Sequence, residues 1–137
     1  MSPTLFDYDP LKAACPTRQV LNRISDRWSM LVILALEDGT LRFSELRRRV
    51  EGVTQKMLTQ TLRALERDGL VEREAIATVP VTVRYTLTPL GHSLGEAAAT
   101  IRMWACAHIE DVERARTRFD ARPAAAGPPT PRAAAAA

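Results

Sequence analysis

Between Phe43 and Asp68 apolar residues recur at helical spacing, stop, and resume. The break, Glu51-Gly52-Val53, is too short for a strand, and Gly52 is free to take a positive φ there. Thr54 is placed to cap the segment that follows. In that segment Leu58, Leu62 and Leu65, with Val53 just before them, form one apolar stripe. The pattern predicts a helix-turn-helix. The opposite side of its second helix carries Gln55, Lys56, Thr59, Gln60 and Arg63. These are donors and acceptors of the reach needed for base edges and phosphates in a major groove. An ordinary solvated helix face more often carries Glu and Lys paired at i and i+4.

On either side of this unit the period changes. Residues 1 to 14 show none, and read as an extended arm whose Leu5, Phe6 and Tyr8 are free to pack on a partner. Cys15-Pro16 opens a helix, with Cys15 at the cap and Pro16 at the first helical position. Val20, Leu21 and Ile24 follow; then Ser25-Asp26 caps a second helix with Trp28, Leu31, Val32, Ala35 and Leu36 in its stripe. This helix pair is expected to be core, with Trp28 its largest contributor. Leu41-Arg42-Phe43 reads as a very short strand before Ser44 caps the next helix. After the stop at Asp68-Gly69, residues 70–76 and 82–88 alternate and are rich in β-branched side chains, with Ala77 to Val81 turning around Pro80. A hairpin directly after such a helix is a wing, whose tip, Thr78-Val79-Pro80-Val81, with Arg84 in reach, would meet phosphates or the minor groove.

From Thr88-Pro89 to about Phe119 the pattern is one long helix, with Gly91 and Gly95 expected to loosen its first turns. Leu90, Leu94, Ala97, Ile101, Trp104 and His108 are spaced four, three, four, three, four. That heptad seam calls for a partner helix, most simply a second copy, although it could instead fold back on its own domain. Residues 120–137 are rich in Pro and Ala and read as a disordered tail. The fold class is therefore mainly α with a small β-hairpin wing, one domain over 15–119 with its terminal dimerisation helix at about 89–119.

Composition changes this picture little. The 137 residues suit one modest domain, and no apolar run reaches the roughly 18 residues of a membrane span. The start of the chain has neither a basic region nor an apolar block, so a cytoplasmic protein is expected. The net charge is only +3, but residues 42 to 73 hold eight Lys/Arg against five acids, so the whole excess lies on the helix-turn-helix.

The chain resembles the HxlR-type regulators, a bacterial branch of the MarR-like winged-helix transcription factors. The likeness covers roughly Cys15 to Ala107. It rests on Cys15-Pro16 with Trp28, Arg42-Phe43-Ser44-Glu45-Leu46, Thr54-Gln55-Lys56-Met57-Leu58-Thr59, Leu65-Glu66-Arg67-Asp68-Gly69-Leu70-Val71 and Tyr85-Thr86-Leu87-Thr88-Pro89-Leu90-Gly91. The resemblance implies a homodimer built on the terminal helices, a recognition helix from Thr54 in the major groove and a wing at the hairpin. It also implies regulation of nearby promoters, frequently in response to electrophiles, aldehydes or oxidants. Where such proteins often carry an acid before the Tyr of the second wing strand, this chain has Arg84.

Several members of that family sense oxidants through a cysteine before the first helix, the position of Cys15. A helix N-terminus favours negative charge and so the thiolate that oxidants attack, with Arg18 one turn on; the alternative is that Cys15 merely caps. Cys106, two residues from Trp104, is expected to be a buried or half-buried hydrophobe. Two cysteines without zinc spacing make no metal site, and His92 and His108 have no acid placed to orient them. Neither a phosphate loop nor a Ser/His/Asp arrangement is present, so neither enzyme nor cofactor is expected.

The reading is a dimeric repressor of a double-stranded, pseudo-palindromic operator, with an effector that is a small molecule or electrophile. Gln55, Lys56, Thr59, Gln60 and Arg63 are the candidate base readers; Arg42, Arg47, Thr54, Thr78 and Arg84 the candidate phosphate contacts. A winged-helix module that binds protein instead of DNA, and a thiol enzyme using Cys15, remain as alternatives.

Overall fold

The computed structural model describes residues 8–123. Leu5 and Phe6 of the arm, and the tail from 124 onward, lie outside the described residues. In chain order the elements are α1 (Pro16–Ser25), α2 (Arg27–Leu36), β1 (Leu41–Arg42), α3 (Phe43–Arg49), α4 (Gln55–Arg67), β2 (Val71–Ile76), β3 (Thr82–Leu87) and α5 (Pro89–Asp120). The chain divides into two compact units, Met1–Thr100 and Ile101–Ala137, with the boundary inside α5.

The caps explain where the helices begin. Asp26 accepts from the Ser29 N–H at 3.0 Å and Thr54 from the Met57 N–H at 3.1 Å, each satisfying a donor that the first turn leaves free. Thr88 does the same for Gly91 N–H at 3.0 Å at the head of α5. Helix α3 departs from expectation: it starts at Phe43, and its cap is Arg42. The Glu45 carboxylate accepts from the Arg42 backbone N–H at 3.1 Å, so the acid three residues on defines the start and Ser44 lies inside the helix. The turns close where glycine permits, with Gly52 at φ 88° between α3 and α4 and Gly69 at φ 75° after α4.

The sheet has three strands in the order β1-β3-β2, antiparallel throughout. Strand β1, though two residues long, sets Leu41 opposite Tyr85 and Arg42 opposite Arg84. The wing is thereby stitched to the helix-turn-helix, a pairing that alternation within the hairpin did not announce.

Val32, Ile33, Leu36, Leu46, Leu58, Leu62, Leu65 and Val71 form the fully enclosed centre of the core, joined by Tyr85 and Leu87 from β3. Each buried Leu removed from water contributes about 1.5 to 3 kcal/mol, so α4 is held mainly by its own stripe. The first helix is not part of that centre: α1 has no buried residue, and Val20 and Leu21 are exposed. Leu31 is also exposed, and Trp28 packs only half-buried on the margin, with the Arg27 guanidinium 4.3 Å from its ring centre. The reason is geometric. Trp28 shares a face with Val32 and Leu36 but stands in the first turn of the ten-residue α2, where its ring reaches the α3–α4 turn, 3.7 Å from where a Cβ on Gly52 would stand, and not the enclosed centre.

Gly91 and Gly95 do not loosen α5. Both are buried, with Ala98, as the small face of that helix. A Cβ on Gly91 would stand 2.0 Å from the Leu70 carbonyl oxygen, so glycine is what lets α5 come this close. Nor is the stretch before α1 extended: Asp9 to Cys15 folds into turns, with Lys12 N–H donating to Asp9 O and Cys15 N–H to Lys12 O.

Candidate nucleic-acid interface

Leu58, Leu62 and Leu65 turn inward together with Thr61, which leaves the opposite side of α4 outward. Gln55, Lys56, Thr59, Gln60 and Arg63 are all exposed along one side of α4. Among the described residues neither Lys56 nor Arg63 enters an ion pair, and the amides of Gln55 and Gln60 make no hydrogen bond within the chain. The exception is Thr59, whose hydroxyl donates to Gln55 O at 2.8 Å. Its single proton is committed, so it offers an outward ligand a lone pair and a methyl group. Thr54 is the converse: its oxygen accepts from Met57, and its proton is free to donate.

The predicted phosphate contacts are less uniform. Arg47 and Arg48 line a shallow concavity with Phe43, Ser44 and Gln55, beside the first turn of α4. Arg42 and Arg84 face each other across β1 and β3, and with Thr40, Ser44, Glu45 and Arg48 they line a second concavity of about 450 Å³. Arg84 lies in the middle of the wing, opposite Arg42 on β1 and Glu74 on β2 and two register pairs short of the turn. At the tip, Thr78 donates its hydroxyl proton to Pro80 O at 2.7 Å and lies 3.1 Å from Thr82 Oγ1, so it stiffens the turn and has no proton left for a phosphate. Arg48 was not singled out in the sequence. Of Arg47-Arg48-Arg49, Arg49 is held by Asp38 at 3.1 Å, and among the described residues Arg47 and Arg48 enter no ion pair, which only the fold reveals.

The heptad positions are open. In the first unit Leu90 and Ala97 are exposed and Leu94 half-buried. In the second unit Ile101 and Trp104 keep 47% and 59% of their surface exposed, and His108 stacks on Trp104 with ring centres 4.8 Å apart. Cys106 is exposed, contrary to expectation, because the second unit has no core of its own for it to enter. Cys15 is buried at the head of α1, and its thiol makes no capping hydrogen bond. Between α1 and the start of α5, Val20, Ile24, Leu70, Leu90 and Leu94 line an apolar groove of about 700 Å³. The Arg23–Asp68 ion pair, at 2.9 Å, lies at its wall.

A model of the HxlR-like helix-turn-helix family matches residues 23–113. The chain belongs to that family. Its HxlR-like relatives include the HTH-type transcriptional regulator YtfH of Escherichia coli K12, itself uncharacterized, 46% identical over 98 residues that cover 72% of this chain and 78% of YtfH. Among solved structures, the ytfH regulator of Salmonella typhimurium superposes with a TM-score of 0.74 at 40% identity, over 85% of this chain and 99% of that one. The redox regulator HypR in its reduced form gives 0.68 at 35% identity, over 72% and 98%. This HxlR-like chain is thus a winged helix-turn-helix transcriptional regulator, and its relatives are regulators, not enzymes. Among the described residues, no helix is long and apolar enough to cross a membrane.

Proposed function

We propose that the protein is a homodimeric repressor that reads a pseudo-palindromic operator in the cytoplasm. Each subunit inserts the start of α4 into a major groove, with half-sites about one helical turn or a multiple apart. The observation that carries this is the division of α4 into an apolar side covered by its own chain and a polar side left uncovered and unpaired. Gln55, Lys56, Gln60 and Arg63 read base edges, Thr59 accepts or contacts a thymine methyl, and Arg42, Arg47, Thr54 and Arg84 hold phosphates. The exposed seam from Leu90 to His108 supplies the dimer contact.

The test is to select an operator from a random duplex library and titrate it by gel shift. Arg63→Ala is expected to weaken it by about 1 to 3 kcal/mol and to relax one position of the selected sequence. Parent-like binding by this variant would remove the assignment.

A second reading concerns the signal. Cys15 heads α1, and a structural relative, HypR, is described as a redox regulator. After local opening of the turn that buries it, the Cys15 thiolate would be alkylated by an electrophile, or oxidised by diamide to a disulfide with a second thiol while diamide is reduced to the hydrazine, and either change would release the operator. Diamide releasing the parent and Cys15→Ser equally would exclude Cys15 as the switch.

A further inference from the structure

The sheet face that β1 and β3 turn to solvent places two arginines side by side. Arg42 and Arg84 are directly opposite in the antiparallel register, and like charges so placed repel across the pair. Glu74 is opposite Arg84 on its other side, yet among the described residues Arg42, Arg48 and Arg84 enter no ion pair. Glu45, the one carboxylate lining the same concavity, has an oxygen occupied by the Arg42 backbone N–H. Three guanidiniums from a strand, a helix and a second strand therefore line one open hollow against a single carboxylate, Glu45, an excess of two positive charges.

We infer that this hollow is a clamp for a single backbone phosphate of duplex DNA, shared by Arg42, Arg48 and Arg84. The inference rests on the DNA-binding reading above and deepens it. Guanidinium forks suit phosphate oxygens because several parallel N–H groups meet one anion. Thr40, whose hydroxyl lies 2.8 Å from that of Thr86, and Ser44 add further polar groups to the wall. The helix-turn-helix and the wing are joined at this point by the β1–β3 pairing. A phosphate held here would fix the angle between α4 and the duplex while reading no base.

A shared site differs measurably from three separate contacts. Salt dependence of binding to a random-sequence duplex counts the phosphates neutralised, about 0.9 in slope for each. Arg48→Gln and Arg84→Gln alter exposed side chains outside the core, so both variants should fold as the parent does, which circular dichroism verifies. Each is expected to reduce the slope of log K against log salt by about one per protomer, and the double variant to lose no more than either alone. Losses that add in the double variant would overturn the shared clamp, and so would parent-like slopes in both singles. If Arg63→Ala still weakens a selected operator in those cases, only the clamp fails. A parent that binds no duplex at low salt would overturn the clamp together with the DNA-binding reading itself.

Discussion

Helices α4 and α5 are both amphipathic, yet they turn opposite faces inward. In α4 the bulky residues Leu58, Leu62 and Leu65 are enclosed and the long polar residues are outside. In α5 only Gly91, Gly95 and Ala98 are buried, and the bulky Leu90, Ile101, Met103 and Trp104 are exposed. The first helix satisfies its hydrophobic side within the chain, so its polar side is available for a polar ligand. The second meets its own domain through small residues that allow close backbone approach, so its bulky side remains uncovered. The same kind of spacing thus leaves a polar side open on one helix and a bulky apolar side open on the other, according to which face the fold consumes.

The contrast can be broken most severely at Leu62. Leu62→Ala empties an enclosed site and is expected to lower the unfolding free energy by about 2 to 5 kcal/mol in urea titration. If the loss were under half of that, α4 would not be held by its stripe. On α5 the corresponding truncation, Trp104→Ala, should leave the fold intact and raise the dimer dissociation constant about 30-fold, the effect of a hot-spot residue near 2 kcal/mol. Sedimentation equilibrium reads this directly, and an unchanged association would show that the seam is not the interface.

The small face supplies a sharper pair. Gly91→Ala forces a Cβ against the Leu70 backbone and should cost about 1 to 3 kcal/mol in chemical denaturation. Gly95→Ala meets only the mobile end of Glu37, with a Cβ 2.7 Å from Oε1, and is expected to be neutral or slightly stabilising because alanine favours the helix by about 1 kcal/mol. Equal losses at both sites would refute the claim that Gly91 alone sets the approach. The smallest expected effect is at the head of α4, where Thr54→Ala removes the Met57 cap and should cost about 1 kcal/mol in thermal unfolding.

Much of this was legible in the residues because it depends on local rules. Periodicity located the helix-turn-helix and the hairpin, and caps such as Asp26, Thr54 and Thr88 followed from their short polar side chains. The outward face of α4 was legible for the same reason: the position of three leucines determines where their neighbours point. What escaped was relational. Trp28 looked like the largest contributor to the core by size, but it stands at the first turn of α2 against the Gly52 turn, and which turns of α2 are enclosed depends on how that helix lies on the others. Arg48 gave no periodic signal, since it acquires meaning only when β1 carries Arg42 beside Arg84. Thr78 and Thr59 looked like free donors, and only their hydrogen-bond partners show that their protons are taken.

By itself, then, the order of residues determined which segments are helical or extended, where they start and stop, and which side of each is apolar, because those properties arise within a few residues of chain. Only the tertiary structure decided which apolar sides are consumed, which glycines are contact points and which charges become neighbours. These depend on distances between segments far apart in the chain, and hydrophobic spacing carries no record of them.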